Sequence, residues 1–202
     1  MSWMRQRICE GQLAVMLLTR LPAGRLRYDV PKLASAVWFF PSVGIPIGLL
    51  VGLSYIGMCY LGILPTLASI LAFSIGLIVT GAMHEDGLAD CADGFGGGQS
   101  KNQKLEIMRD SRIGSFGVLA LFFIVSARIV SLSNLPPNQE VLFAVIALAM
   151  ISRLVMVFYL TFLSPARDEG LGRDASKPEV GALVISVITC IPIIFICGSY
   201  MI

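Results

Sequence analysis

The chain has 202 residues, of which 56% are hydrophobic and 14% charged, and its formal net charge is +2. With a mean hydropathy of +0.81 and apolar runs of membrane-spanning length, this composition excludes a soluble domain and indicates one polytopic all-α membrane bundle over residues 1–202. No basic cluster is interleaved with aromatics, which excludes nucleic acid as a partner, and no pair of the cysteines Cys9, Cys59, Cys91, Cys190 and Cys197 is spaced as CxxC, so they read as small hydrophobes.

The chain opens with Arg5 and Arg7 before a mixed stretch, Ile8 to Leu18, that Glu10 and Gln12 interrupt. No small-residue cleavage site follows, so a signal peptide is not expected. Ile8, Leu13, Val15, Met16, Leu17 and Leu18 fit an interfacial amphipathic helix, which Thr19-Arg20-Leu21-Pro22 ends because proline removes a donor. Arg20, Arg25, Arg27 and Lys32 form a basic surface segment.

Five spans are expected, at about 37–61, 67–83, 116–132, 141–163 and 181–202. Trp38 and Phe39 belong at the headgroup end of the first, where Pro41, Gly44, Pro46, Gly48 and Gly52 predict kinks and close backbone contacts. Between the second and third spans lies a loop from His84, in which Lys101 to Arg112 reads as an amphipathic surface helix with Leu105, Ile107 and Met108 available for burial. A polar turn, 133–140, and a charged loop, 164–179, separate the later spans. The chain stops within an apolar run at Tyr200-Met201-Ile202, as a helix ending at the far interface or a truncated chain would.

Placing the N-terminus inside puts every basic residue of the connecting segments on one side, because the turns around Gly62 and Asn134 hold no Lys or Arg. The positive-inside rule then puts the basic N-terminal segment, residues 84–115 and the 164–179 loop on the cytoplasmic face.

Residues 80–98 carry the strongest chemical signal. His84, Glu85, Asp86, Asp90 and Asp93 leave the second span together, and the stretch then dissolves into Gly94, Gly96, Gly97 and Gly98. On a helix, Asp86, Asp90 and Asp93 stand at i, i+4 and i+7 and share one stripe. Carboxylates stacked so closely repel unless a cation lies among them, and oxygen-only ligands suit Mg²⁺ shared with substrate phosphates. Gly96, Gly97 and Gly98 could offer backbone N–H groups to an anion. Glu85 stands about 100° from Asp86 and is a further ligand or a base. His84, the single histidine, is either a general base or an interfacial side chain bonded to backbone.

The segment Ile107-Met108-Arg109-Asp110-Ser111-Arg112-Ile113-Gly114 is the second signal. On a continuing helix, Arg109 and Arg112 could grip one diphosphate, and Asp110 could complete the metal shell. Arg128 and Arg153 lie within spans. Arg128, near a helix end, fits snorkelling outward, and Arg153, close to mid-span, should face the bundle. Arg167 and Arg173 could add phosphate contacts from their loop.

Gly81 to Gly94, followed by Leu105 to Gly117, resembles the adenosylcobinamide-GDP ribazoletransferases, or cobalamin synthases. Thr19-Arg20-Leu21-Pro22, the Pro41–Gly48 segment and Glu169-Gly170-Leu171-Gly172 are similar to that family too. The resemblance implies a Mg²⁺-dependent enzyme of the bacterial inner membrane that joins adenosylcobinamide-GDP to α-ribazole, or its 5′-phosphate, and releases GMP. Family members continue with a further Gly- and Asp-containing motif. None precedes Ile202, so a C-terminally shortened member is expected.

Two rivals fit less well. A CDP-alcohol phosphatidyltransferase needs D-G-x-x-A-R, whereas Asp86-Gly87-Leu88-Ala89 continues with Asp90. A cation transporter needs acidic residues at mid-bilayer, and the expected spans hold none.

Overall fold

The computed structural model describes residues 3–26 and 30–199, so Arg27 of the basic segment and Tyr200 to Ile202 of the fifth span lie outside the described residues. The elements are α1 (Trp3–Leu18), α2 (Leu33–Ala36), a 3₁₀ turn (Val37–Phe39), α3 (Phe40–Tyr60), α4 (Pro65–Thr80), α5 (Met83–Gly97), α6 (Lys101–Ile107), α7 (Ser115–Ser133), α8 (Gln139–Phe162), α9 (Leu171–Asp174) and α10 (Val180–Ser199). Every regular element among the described residues is helical, as composition required.

The centre is α3, which packs against α8, α4, α10 and α1. Its contact with α8 is built on glycine. A Cβ added to Gly44 would lie 2.6 Å from the Met150 nitrogen, one on Gly48 would lie 2.5 Å from Ile146 Cα, and one on Gly52 would lie 2.7 Å from a Leu142 methyl. Glycines four apart thus line one stripe of α3 and admit the α8 backbone to contact. In a bilayer that close fit, rather than expulsion of water, drives helix association. Pro41 sits in the first turn of α3, where its missing N–H costs nothing. At the other end, the buried Tyr55 hydroxyl donates to Leu135 O at 2.8 Å and ties α3 to the α7–α8 turn.

Helix α1 does more than lie at an interface. It buries Cys9, Glu10, Ala14 and Leu18 against the bundle while Ile8 and Met16 stay exposed. The fully buried Glu10 carboxylate accepts from Gln6 Nε2 (3.1 Å), Arg7 Nη1 (2.8 Å) and Trp38 Nε1 (2.9 Å). The Glu10 that interrupts the apolar pattern is therefore a docking group, and Trp38 spends its indole N–H on it.

The second span ends earlier than expected. At Gly81 (φ 68°) and Ala82 (φ 56°) the backbone turns left-handed, and α5 leaves α4 at 91°. Arg20 N donates to Val79 O at 2.7 Å, and its guanidinium packs over Gly81, where a Cβ would lie 2.5 Å from Nε. At 16 residues α4 is about 24 Å long, short for a bilayer on its own. Among the described residues four helical segments are long and apolar enough to cross, and five if the bent α4–α5 pair is one span.

The surface helix after the acidic stretch is shorter than the sequence suggested. Ser100 and Gln103 form a reciprocal capping box that starts α6, but the helix stops at Ile107 instead of reaching Arg112. Asp110 is the cause: its Oδ1 accepts from the Arg112 backbone N–H at 3.0 Å, a local turn that competes with helix.

The glycine seam makes a direct prediction. Gly48→Leu should lower the unfolding midpoint in detergent, by about 1–3 kcal/mol of overpacking. Gly57→Ala, whose Cβ meets nothing within 4 Å, should leave it unchanged or slightly raised. Thermal unfolding of the purified variants measures both.

Candidate active site

The site is organised by α5. Its 15 residues run antiparallel to α7: Glu85 meets Arg128, Asp93 meets Gly114 and Gly117, and Gly96 lies against the Phe116 ring. Asp86 and Asp93 both lie within electrostatic reach of Asp90. Partial burial and the charge of Asp86 push the Asp90 carboxyl above the usual carboxylate range, while Arg167 pulls the other way and Asp93 adds to the push.

Asp93 has a distinct task. It is buried, and its two oxygens accept from the backbone N–H groups of Gly114 (2.7 Å) and Gly117 (2.8 Å). These are the N-cap and third residues of α7, whose first turn has no side-chain cap of its own. Asp93 thus caps α7 from another helix, satisfying donors that would otherwise be orphaned. A Cβ on either glycine would run into the carboxylate, which explains both glycines at once.

Asp110 stands apart. It is exposed and paired with Arg112, Nη2 to Oδ2 at 2.7 Å, and those bonds hold its carboxyl below the usual range. Among the described residues no group of three His, Cys, Asp or Glu converges as a preformed metal cage. Two carboxylates on the same helix have no hydrogen-bond partner among the described residues: Asp86, exposed, and Asp90, half-buried.

The expected phosphate cradle takes another form. Gly96 and Gly97 close the last turn of α5, and the Gly98 N–H is bonded to Gly94 O at 3.0 Å. Their use is close approach: Gly96 admits Phe116, and Gly98 admits the Lys104 backbone, 2.8 Å from where its Cβ would be. The paired-arginine grip also changes, because Arg109 and Arg112 lie beyond α6 and Arg112 is held by Asp110.

Arg109 instead lines a cleft of about 370 Å³ between α6 and the loop after α8, together with Lys101, Asn102, Arg167, Asp168 and Glu169. Arg167 donates to Leu105 O at 3.4 Å across it and also acts on Asp90. Arg167 therefore stands within electrostatic reach both of Asp90 and of a cleft of mixed charge, in which Lys101, Arg109 and Arg167 outnumber Asp168 and Glu169.

His84 and Glu85 sit at the deep end of α5. Burial, then the charge of Arg153, holds the His84 imidazole below its ordinary range, so it is neutral at pH 7. Glu85 is bonded to Arg128 Nη1 at 2.7 Å, and the Arg128 guanidinium also lies over the Phe73 ring at 5.5 Å. Arg128, half-exposed, is therefore tied to α5 through Glu85. Arg153 is buried in the bundle as expected. Sequence reasoning missed the roles of Arg128 and Asp93, whose partners lie 43 and more than 20 residues away. The available signal for Asp93 was a helix opening on Gly114 with no capping side chain.

A family model described as Cobalamin-5-phosphate synthase matches residues 11–202. The chain is 37% identical over 193 residues to the adenosylcobinamide-GDP ribazoletransferase of Mesorhizobium japonicum, covering 95% of this chain and 74% of that one. It is 43% identical over 173 residues to the protein of that name from Azorhizobium caulinodans, covering 83% and 65%. No solved structure matches.

If Asp93 caps α7, Asp93→Ala should cost about 2–4 kcal/mol of stability, since two charge-assisted bonds are lost and their donors stay buried. Asp90→Asn should cost none without metal, because it removes a carboxylate held under repulsion. Unfolding of both variants with a chelator present compares them.

Proposed function

We propose a function from an established premise: the chain belongs to the cobalamin-5-phosphate synthase family. It is a multi-pass membrane protein and a transferase of cobalamin synthesis. Its reaction, on this reading, is the one for which its relatives are named, transfer between adenosylcobinamide-GDP and ribazole. A hydroxyl of α-ribazole, or of its 5′-phosphate, attacks the phosphorus attached to cobinamide. The diphosphate P–O bond breaks, and GMP leaves with the electron pair.

The observation that carries this reading is that Arg167, which lines the cleft with Lys101 and Arg109, lies within electrostatic reach of Asp90, one turn from Asp86 on α5. The donor set fits Mg²⁺, which is commonly held by one or two carboxylates, waters and substrate phosphates rather than by an all-protein cage. Asp86 and Asp90 would hold it, and a bound Mg²⁺ would supply charge neutralisation at the diphosphate. Asp93 fixes the helix that presents them. Arg167, Arg109 and Lys101 bind and orient phosphate oxygens from the cleft they line. His84, held neutral, can accept the proton of the attacking hydroxyl, while Glu85 is held by Arg128. The distribution of basic residues supports a bacterial inner membrane setting with this face in the cytoplasm.

The test is GMP release by purified protein given both substrates and Mg²⁺. Asp90→Asn should lower kcat by about 10²-fold or more, and Arg167→Ala should raise KM for the nucleotide substrate by about tenfold. A chelator should stop turnover and added Mg²⁺ restore it. Near-normal transfer by Asp90→Asn would remove the assignment. Because the Asp90 carboxyl is raised and must be deprotonated to bind a cation, Mg²⁺ affinity should begin to fall at a higher pH than for an ordinary aspartate. Calorimetric Mg²⁺ titrations between pH 5 and 8 read that shift, which Asp90→Asn should abolish.

A further inference from the structure

Arg153 has a charge that its surroundings leave unbalanced. Only 7% of its surface is exposed. Its Nη1 donates to Ala149 O (3.2 Å) and Ser152 Oγ (2.9 Å), both on its own helix. Its Nε–H is buried without a partner, and the residue has no ion pair among the described residues. Glu85 and Arg128 both lie within electrostatic reach, but Glu85 is already bonded to Arg128. Two guanidinium groups therefore face one carboxylate in a low-dielectric setting, where an uncompensated cation is costly.

The unused part of Arg153 indicates what would compensate it. With Nη1 occupied, the Nε–H side remains, and that side of a guanidinium offers two parallel donors to an oxyanion. A carboxylate would spend both oxygens there. A phosphate keeps a further oxygen for the remaining N–H groups of Arg128, whose side chain is 52% exposed.

We propose that Arg153 and Arg128 form a phosphate-binding site inside the bundle, between α5, α7 and α8, whose orphaned Nε–H and surplus positive charge take a phosphate oxyanion. It adds to the Asp86–Asp90 reading and does not rest on it, since binding there needs neither metal nor transfer. The phosphate belongs either to a water-soluble phosphate compound or to an anionic lipid headgroup, and the chemistry is the same.

The unfolding midpoint of the full chain in a phosphate-free maltoside detergent separates these sources. One arm titrates inorganic phosphate, a second adds phosphatidylglycerol, and a third adds acetate at matched ionic strength. The wild-type midpoint should rise in the first arm, the second or both, and less in the third. A rise with inorganic phosphate alone identifies the soluble source, and one with the lipid alone identifies the headgroup. Arg153→Met should lose the rise and, unliganded, unfold no lower than wild type, because an unpaired cation has been removed. Arg153→Lys should need about tenfold more ligand for half the effect, since an ammonium offers no fork. No rise with either phosphate source, or an equal rise with acetate, overturns the proposal. So does an undiminished response in Arg153→Lys, which keeps the test decisive if Arg153→Met does not fold.

Discussion

Contact between the backbones of α3 and α8 is the constraint on which the rest of the molecule depends. Gly44, Gly48 and Gly52 remove the side chains that would hold the two helices apart, and α8 fills the space with Leu142, Ile146 and the Ala149–Met150 backbone. No hydrophobic driving force holds helices together within lipid, so the closeness of this fit determines whether the bundle forms. It also fixes the rotation of α8. With Ala149 and Met150 against α3, Arg153 one turn further along is buried and comes within reach of His84 and Glu85. The seam thus sets the electrostatics at the deep end of α5 without any of its glycines touching that region.

The carboxylates of α5 divide their work by burial. Glu85 and Asp93, on the side that meets α7, are spent on Arg128 and on the first turn of α7. Asp86 and Asp90 have no hydrogen-bond partner among the described residues, and Asp90 lies within electrostatic reach of Arg167. One helix therefore carries a structural face and a reactive face side by side, and the structural face holds the reactive one steady. The fixed groups are hydrogen-bonded across to α7. The available groups carry unrelieved repulsion, the state a cation or a phosphate-bound metal would relieve.

Much of this was legible in the sequence, for reasons that differ by region. The helical class and the presence of several helices long and apolar enough to cross a membrane followed from apolar run length, which depends on local composition. The close approach at Gly44, Gly48 and Gly52 followed from their spacing, although their partner did not. What stayed hidden required long-range pairing. Glu10 looked like a flaw in an amphipathic helix until Trp38, 28 residues away, supplied its bond. Asp93 looked like a metal ligand because its place on the stripe gives no hint that Gly114 and Gly117 would claim both oxygens. Arg109 and Arg112 looked like a pair because helical spacing was extended past Ile107, where Asp110 bends the chain. Gly96, Gly97 and Gly98 looked like a cradle because glycine offers either exposed amides or close packing, and only Phe116 and Lys104 decided which.

The elbow at residues 81 and 82 has a mechanical meaning. Gly81 adopts its left-handed backbone freely, but Ala82, at φ 56°, does so against a penalty of about 1–2 kcal/mol. The strained residue is kept in place by bonds on both sides of it: the Ala82 N–H donates to Leu77 O, Arg20 covers Gly81, and Asp93 ties α5 to α7, so the angle at which the acidic face leaves α4 is set by contacts that precede and follow the elbow.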